Sequence, residues 1–256
     1  RPEYTQLPQL ISSFPEVPCL ALTATADKAT QKDIAHKLGL KNPQKFLSSF
    51  ERKNIEIKVL PAFNRFNLIL KIIERYKDES GIIYCLSRKS TVELAAKLKN
   101  EGYSAAHYHA EVPAQERHKI QEDFQKDTIK IICATIAFGM GIDKSNIRYV
   151  IHYNLPKNIE SYYQEIGRAG RDGLPAEAIL FFNQSDAIIF KKFIDDSAAD
   201  SQFKKVQTAK LYRLLDFCQA TNCRTNMILS YFGVHRTEPC LHCDNCKSPP
   251  ETFDGT

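Results

Sequence analysis

Short apolar runs alternate with amphipathic segments from residue 54 to residue 183, and this alternation constrains the fold more than any other feature. The runs are almost continuously apolar, which is typical of parallel strands that are covered on both faces. Segments with helical periodicity separate them, as the crossover connections of a parallel sheet require. We therefore predict an α/β fold, a mostly parallel sheet with helices on both faces, with strands at residues 55–60, 81–86, 104–108, 129–134, 149–152 and 178–182 and helices at residues 67–76, 90–100, 114–125 and 159–169.

The residues on either side of this α/β unit predict two smaller units. Residues 18–23 (PCLALT) are expected to form a buried strand, and a helix is expected from residue 28 to residue 38, with Asp27 as its N-cap and Gly39 at its end. One strand with two short helices cannot bury a core of its own. We therefore expect residues 1–53 to be the C-terminal remnant of a larger domain, followed by the α/β unit at residues 54–195 and a small helical module at residues 196–256.

Four of the eight cysteines cluster near the C-terminal end, at Cys223, Cys240, Cys243 and Cys246. Two-residue spacers let adjacent thiolates converge on one ion, and the distant Cys223 can complete a tetrahedron. The spacing predicts a structural Zn²⁺ with four sulfur ligands and no open coordination position. Two disulfides, which a reducing compartment disfavours, and a mixed site with His235 or His242 are the alternatives.

The other cysteines lie singly in apolar segments and are expected to be small buried hydrophobic residues: Cys19, Cys85, Cys133 and Cys218. The chain is 43% hydrophobic and 25% charged, a balance that argues against disorder. It contains neither an apolar run long enough to span a membrane nor a signal-peptide pattern. We expect no membrane partner, and a cytoplasmic, nucleoid-associated protein in a bacterium or a nuclear one in a eukaryote.

A basic run lies between residues 203 and 236. It contains Lys204, Lys205, Lys210, Arg213, Arg224 and Arg236 against the single acidic residue Asp216, and this excess of five equals the net charge of +5 for the whole chain. The run predicts either a surface that follows a phosphate backbone or basic helix faces exposed to solvent.

Two arginines, Arg168 and Arg171, lie three residues apart in a glycine-containing stretch, residues 158–173 (NIESYYQEIGRAGRDG), where a helix is expected to end. Arginine stays charged at any physiological pH and binds phosphate oxygens in a bidentate way. Gly167 and Gly170 leave both guanidinium groups free to reach outward. The stretch is equally compatible with a glycine-terminated helix that carries two solvated arginines.

Three further polar residues are expected near this arginine pair. Gln164 and Glu165 precede it directly and should lie at the edge of the same cleft. Asp143 either accepts a hydrogen bond from one of the arginines, and so couples two sites, or caps a helix.

Polar or small residues follow three of the predicted strands, where the carboxyl edge of a parallel sheet presents its loops to a ligand. Ser87 and Arg88 follow the second strand, His109 follows the third, and Thr135 and the turn at residues 139–141 follow the fourth. Hydroxyls and backbone N–H groups suit phosphate contacts that carry no base sequence. His109 is alternatively a histidine with a purely structural role.

In this order, residues 82–98, 108–117 and 132–156 and the arginine stretch resemble the second motor domain of a superfamily 2 helicase. Residues 223–246 resemble the zinc module of RecQ DNA helicases, and residues 22–26 (LTATA) resemble the third helicase motif, which closes the first motor domain. The resemblance covers essentially the whole chain. It implies a RecA-like fold for the α/β unit and a role as the C-terminal half of the catalytic core of an ATP-dependent DNA helicase with 3′-to-5′ polarity, acting in DNA repair and recombination.

The same resemblance implies roles for individual residues. Arg171 would be the arginine finger for ATP hydrolysis and Arg168 a second phosphate contact, while Gln164 and Asp143 would contribute to the nucleotide site. The residues implied to contact the tracking DNA strand are Ser87, Arg88, His109 and Thr135. The implied partners are ATP with Mg²⁺ and single-stranded or forked DNA, bound by a monomer.

The chain contains no G-x-x-x-x-G-K-[ST] phosphate loop and no D-E-x-H segment for Mg²⁺. We therefore expect a fragment whose ATP site is completed by a missing N-terminal motor domain, and no ATP hydrolysis by the chain alone. An RNA helicase of the same superfamily and a non-catalytic zinc-dependent DNA-binding module are the alternatives.

Overall fold

The computed structural model describes residues 6–23, 28–46, 49–139 and 142–250. Its six strands are β1 (Ile55–Pro61), β2 (Ser80–Tyr84), β3 (Ala105–Tyr108), β4 (Ile131–Ala134), β5 (Ile147–His152) and β6 (Ala176–Phe182). They form one sheet in the order β1-β6-β5-β2-β4-β3, and every neighbouring pair is parallel. The predicted α/β fold with a parallel sheet is confirmed.

The helices are α1 (Leu7–Ser13), α2 (Lys28–Lys37), α3 (Arg65–Arg75), α4 (Arg88–Asn100), α5 (Ala114–Gln125), α6 (Ile159–Ile166), α7 (Gln184–Asp195), α8 (Ser201–Gln219), α9 (Arg224–Tyr231) and α10 (Asp244–Lys247). Helix α7 was not predicted from the sequence, and several of its apolar side chains are exposed, among them Ile188 and Phe193. The Asn183 side chain caps its first turn by accepting a hydrogen bond from the Ser185 N–H group. Within the described residues, no helix has the length and apolar character that crossing a membrane requires.

Helices cover both faces of the sheet, as predicted. Along β2, Ile82 and Tyr84 point into one core cluster, and Ile83 points into the other. The first cluster contains apolar side chains of α5 and α6, and the second contains those of α3 and α4. This alternation explains why the strands are almost continuously apolar. Cys85, Cys133 and Cys218 are buried as expected.

The helical module that follows α7 shares the first of these cores. Leu214 and Phe217 of α8 and Ile228 of α9 belong to the same cluster as Tyr162 of α6. At the free edge of the sheet, the Asp244 carboxylate accepts a hydrogen bond from the Val59 N–H group at 2.8 Å. The module therefore protects the exposed backbone of edge strand β1.

The strand predicted at residues 18–23 is wrong. These residues adopt irregular structure, and Leu20 and Leu22 are 76% and 84% exposed. In the described part of the chain no strand lies beside them, and a strand without a neighbour leaves its backbone groups unpaired. Cys19 is correspondingly exposed instead of buried. The helix that ends before Gly39 is present, whereas Asp27 and residues 24–26 lie outside the described residues.

The basic run at residues 203–236 contributes to internal contacts instead of one continuous phosphate-binding surface. Lys210 pairs with Glu160, Arg236 pairs with Glu51, and Lys204 donates to the Asp195 carbonyl oxygen. Arg224 is buried, donates to the carbonyl oxygens of Phe217 and Cys218 and pairs with Asp244. Much of the charge excess thus stabilises the contact between the helical module and the α/β unit.

Candidate functional site

The predicted DNA contacts meet at one edge of the sheet. Strands β2, β4 and β3 are neighbours, and their carboxyl ends lead directly into Ser87, Thr135 and His109. The Ser87 side chain caps α4 by accepting a hydrogen bond from the Ser90 N–H group at 3.1 Å. The Thr135 N–H group donates to the Tyr108 carbonyl oxygen, which fixes the start of the loop after β4. Hydroxyls and the N-terminal end of α4 therefore face the same solvent-accessible edge.

Arg88 and His109 both lie at this edge, and the charge of Arg88 acts on the His109 ring. Arg88 forms an ion pair with Glu111, and more than half of each side chain is exposed. His109 is partly buried, and its ring stacks on that of His107 with centroids 5.5 Å apart. Burial, together with His107 and Arg88, lowers the pKa of His109, so its imidazole is neutral at neutral pH. Of the two residues, Arg88 carries the positive charge that a phosphate would meet.

The arginine pair lies in the loop that follows α6, residues 167–174, which we call the arginine loop. Helix α6 ends at Ile166 with Gly167 as its C-cap, earlier than predicted, so both arginines lie beyond the helix. Arg171 Nη1 donates to the Ile142 carbonyl oxygen at 3.0 Å and lies 3.5 Å from Asp143 Oδ1. Residues 144–146 are irregular and lead directly into β5, so no helix begins at Asp143 and the helix-capping alternative for Asp143 is wrong.

Arg168 packs beneath the loop after β4. A Cβ atom added to Gly139 would lie 2.8 Å from Arg168 Nη2, so a larger residue here would displace the guanidinium group. The guanidinium group lies beside the Tyr84 hydroxyl, which donates to the Phe138 carbonyl oxygen at 2.9 Å. Burial raises the pKa of Tyr84, opposed by the nearby Arg168, and the hydroxyl stays a hydrogen-bond donor. Met140 and Gly141 of the predicted turn lie outside the described residues.

Gln164 and Glu165, both expected at the edge of the cleft, point in different directions from α6. Gln164 is exposed on α6, where it could reach a ligand. Glu165 is buried, and its Oε2 atom lies 2.6 Å from His152 Nε2. The prediction for Glu165 is wrong because α6 turns this side chain toward β5 and the core.

Arg52 is a contact of the arginine loop that sequence reasoning missed. Its guanidinium group donates to the Gly167 carbonyl oxygen, 115 positions away along the chain. No local motif marks it, and only the fold brings it to this loop.

The four clustered cysteines form a compact metal centre. Their sulfur atoms all lie within 4.8 Å of one another. Cys240 Sγ and Cys246 Sγ are 3.8 Å apart, which matches the edge of about 3.8 Å in a tetrahedron with Zn–S bonds of about 2.3 Å. All four are free thiols, so the disulfide alternative is wrong for this structure.

Neighbouring groups favour a thiolate-bound cation at this centre. Backbone N–H groups donate to three sulfurs: Arg224 N to Cys243 Sγ at 3.4 Å, Cys240 N to Cys223 Sγ at 3.3 Å and Cys243 N to Cys240 Sγ at 3.3 Å. His242 Nδ1 lies 2.8 Å from the Cys240 carbonyl oxygen, and neither His242 nor His235 joins the group of ligand atoms among the described residues. The four-sulfur set fits a structural Zn²⁺.

Comparison with known proteins assigns the family. Residues 64–173, which include both arginines, match the family model described as helicase conserved C-terminal domain. Residues 184–247, which include all four cysteines, match the RecQ zinc-binding model. The ATP-dependent DNA helicase RecQ of Haemophilus influenzae is 47% identical over 255 residues, which is 100% of this chain. The chain belongs to the RecQ family.

RecQ relatives are longer than this chain. The chain spans 41% of the Haemophilus influenzae protein and 19% of the ATP-dependent DNA helicase hus2/rqh1 of Schizosaccharomyces pombe, which is 43% identical over 251 residues. The resemblance of the sequence motifs to RecQ helicases is thus confirmed at the level of the family.

A solved structure supports the fold assignment for this RecQ-family chain. Dbp5 of Saccharomyces cerevisiae, bound to RNA and ADP BeF3, superposes with a TM-score of 0.59 over 82% of this chain and 58% of that chain. The two sequences are only 21% identical, so the likeness concerns the fold alone. The predicted RecA-like architecture is confirmed.

Proposed function

We propose that this chain is the C-terminal half of the motor core of an ATP-dependent DNA helicase, with Arg171 as its arginine finger. One observation carries the proposal, and it concerns the loop after β4. This loop connects the arginine loop to the sheet edge that carries Ser87, Arg88, His109 and Thr135, which we call the DNA-facing edge. Thr135 begins this loop at the carboxyl edge, and Ile142 and Asp143 contact Arg171 further along. Because this loop reaches from the DNA-facing edge to Arg171, it can transmit a displacement at the DNA to the nucleotide site.

Each arginine has a separate task in this proposal. Arg171 is 37% exposed and held by few contacts, so it can move onto negative charge that develops at a transferring phosphoryl group. Arg168 is more enclosed, beside Tyr84 and Gly139, which suits a fixed contact with phosphates that are already charged before reaction. Asp143 and Gln164 complete the chain's side of the nucleotide site. ATP with Mg²⁺ would be held mainly by a first motor domain. The RecQ relatives are longer than this chain and have room for such a domain.

The DNA-facing edge would hold the phosphate backbone of a single strand through Ser87, Arg88, His109 and Thr135. Backbone contacts of this type carry no base sequence, as a motor that moves along any sequence requires. By family resemblance we propose 3′-to-5′ polarity, single-stranded and forked DNA as substrates, a role in repair and recombination, and a monomer located in the bacterial cytoplasm or eukaryotic nucleus. The names of the RecQ relatives at 47% and 43% identity, both ATP-dependent DNA helicases, favour DNA over the RNA alternative. The organised arginine loop argues against a non-catalytic module.

The first test compares the chain alone with the chain joined to an ATP-binding half. The isolated chain should show no DNA-stimulated ATP hydrolysis, because it contains no phosphate loop to hold the nucleotide. It should still bind single-stranded DNA weakly and with strong salt dependence. Steady-state phosphate release with and without DNA measures the first expectation, and turnover by the isolated chain above background would contradict it.

A second test addresses the DNA-facing edge in the full-length helicase. Arg88→Ala should weaken binding to single-stranded DNA about 5- to 10-fold at about 0.1 M salt and lower the salt slope by about one. Glu111→Gln should strengthen binding about 2- to 5-fold, because it frees Arg88 from an exposed ion pair.

Fluorescence anisotropy titrations over a range of salt concentrations give both quantities. Lys99→Ala is the matched control, since it removes a charge from the opposite end of the same helix. If Arg88→Ala and Lys99→Ala change the affinity for DNA and its salt slope equally, Arg88 does not contact DNA.

A further inference from the structure

Residues 50–54, which we call the clamp segment, lead into β1 and contact the arginine loop. The Arg52 guanidinium group donates from Nη1 to the Gly167 carbonyl oxygen at 3.1 Å. Its Nη2 atom donates to the carbonyl oxygens of Ala169 at 2.8 Å and Gly170 at 3.0 Å. One side chain thus holds three carbonyl groups within the stretch that carries the arginine pair.

The chemistry of Arg52 matches this position. Helix α6 ends at Ile166, and the last carbonyl groups of a helix lack partners within it and carry partial negative charge. A guanidinium group offers several donors in a rigid plane, so it can satisfy divergent acceptors at once. A lysine ammonium is a single point and cannot reproduce this geometry.

Asn54 fixes the same loop from the other side of the turn. Its Nδ2 atom donates to the carbonyl oxygens of Gly170 at 2.7 Å and Leu174 at 2.9 Å. Gly170 has φ +54°, and an added Cβ atom would lie 2.5 Å from Asn54 Nδ2. Hydrogen bonds from Arg52 and Asn54 therefore fix the backbone conformation between Arg168 and Arg171.

The clamp segment is itself held firmly. The Phe50 ring stacks on Phe232 of the helical module with centroids 4.7 Å apart, and its carbonyl oxygen accepts a hydrogen bond from the Tyr163 hydroxyl at 2.9 Å. Glu51 pairs with Arg236 of the same module. The support of the arginine loop thus extends from β1 to the zinc-binding end of the chain.

We propose that Arg52 is a positioning residue for ATP hydrolysis: it orders the backbone that leads into Arg171, so that this side chain is presented to the transferring phosphoryl group. Arg168 is held separately, beside Tyr84 and Gly139. This inference rests on the proposed function of Arg171. Arg52 itself touches only the protein. Its loss should lower the rate of the chemical step and leave nucleotide and DNA binding nearly unchanged, because small displacements of a catalytic group reduce turnover more than affinity.

The experiment uses the full-length helicase and compares Arg52→Ala, Arg52→Lys, Arg171→Ala and the double variant Arg52→Ala/Arg171→Ala. We expect Arg52→Ala to lower kcat for DNA-stimulated ATP hydrolysis about 10- to 100-fold, with KM for ATP changed less than about twofold. Arg52→Lys should recover only part of the rate. The double variant should be no slower than Arg171→Ala alone, because a positioning residue has no further effect once its target is gone.

Arg75→Ala is the matched control. Arg75 also bridges two elements, with its guanidinium group bound to both oxygens of Glu177, but it lies outside the arginine loop. It should leave kcat within about twofold of the parent rate. Zinc content and thermal unfolding are measured for every variant, and if Arg52→Ala loses its fold, Asn54→Ala takes its place, with an expected loss of about 5- to 10-fold in kcat.

The outcomes separate the two proposals. If Arg171→Ala slows hydrolysis but a folded Arg52→Ala, or Asn54→Ala in its place, does not, the positioning role is overturned and the arginine finger stands. Multiplicative losses in the double variant overturn it as well, since Arg52 would then act independently of Arg171. A parent-like rate for Arg171→Ala would instead overturn the proposed function.

Discussion

Replacing Arg171 with alanine is expected to lower ATP hydrolysis by the full-length helicase on the order of 10³-fold. Arg171 is partly exposed, and its hydrogen bonds within the described part of the chain go to the Ile142 carbonyl oxygen and Asp143. Its removal should therefore cost little stability. A charge that acts only while negative charge develops on the phosphoryl group changes kcat, whereas the affinities for ATP and DNA change by less than about threefold.

The measurement pairs steady-state ATPase rates with an ATP-binding titration for each variant. Arg168→Ala should also lose turnover but weaken ATP binding in addition, because Arg168 is assigned to the phosphates of the bound ground state. Arg213→Ala serves as the control, since Arg213 is an exposed arginine beside Tyr231 in the helical module. If Arg171→Ala hydrolyses ATP as fast as Arg213→Ala does, Arg171 is a solvated loop residue.

Cys243→Ser is expected to abolish zinc binding and unfold the helical module. Cys243 is fully buried and belongs to the core cluster that also contains Phe217 and Phe232. Structural zinc contributes about 10–16 kcal/mol to folding in zinc-finger peptides, which is as large as the whole stability of about 5–15 kcal/mol of a typical domain. The loss of one thiolate should therefore expose residues 196–250 to protease.

Elemental analysis under reducing conditions and limited proteolysis check this result. Cys218→Ala is the matched control, because Cys218 is a buried cysteine of the same module outside the ligand set. His242→Ala should retain zinc, since its Nδ1 atom faces a carbonyl oxygen. Full zinc occupancy in Cys243→Ser, or loss of zinc in His242→Ala, would contradict the four-sulfur assignment.

The zinc variant should also slow ATP hydrolysis in the full-length helicase. Phe232 and Arg236 of the module hold the clamp segment through Phe50 and Glu51, and the clamp segment holds the arginine loop. Unfolding of the module removes these contacts. The zinc centre and the arginine pair are thus parts of one structure, although 52 positions separate Arg171 from Cys223.

Local chemistry accounts for what the sequence predicted well. Near-continuous apolar strands follow from a sheet that is covered on both faces, and the cysteine spacers follow from the size of a single ion. Likewise, the position of Ser87, His109 and Thr135 after neighbouring strands follows from the parallel direction of the sheet. Each of these properties depends on residues that are close in sequence or on a repeating period.

The amino-acid sequence by itself determined the α/β class, the four-cysteine cluster that fits a structural zinc and the placement of the two arginines just after a helix. Only the tertiary structure decided that residues 18–23 are exposed, that Glu165 turns inward to His152, that Arg224 is buried and that Arg52 supports the arginine loop. Glu165 meets a partner 13 positions away, Arg224 pairs with Asp244 20 positions away, and Arg52 binds a carbonyl group 115 positions away. Residues 18–23 are exposed because no strand of the described chain lies beside them. The sequence determines the chemistry of each side chain. Its partner, whether a hydrogen-bond acceptor or the apolar core, depends on which elements lie next to each other in the folded protein.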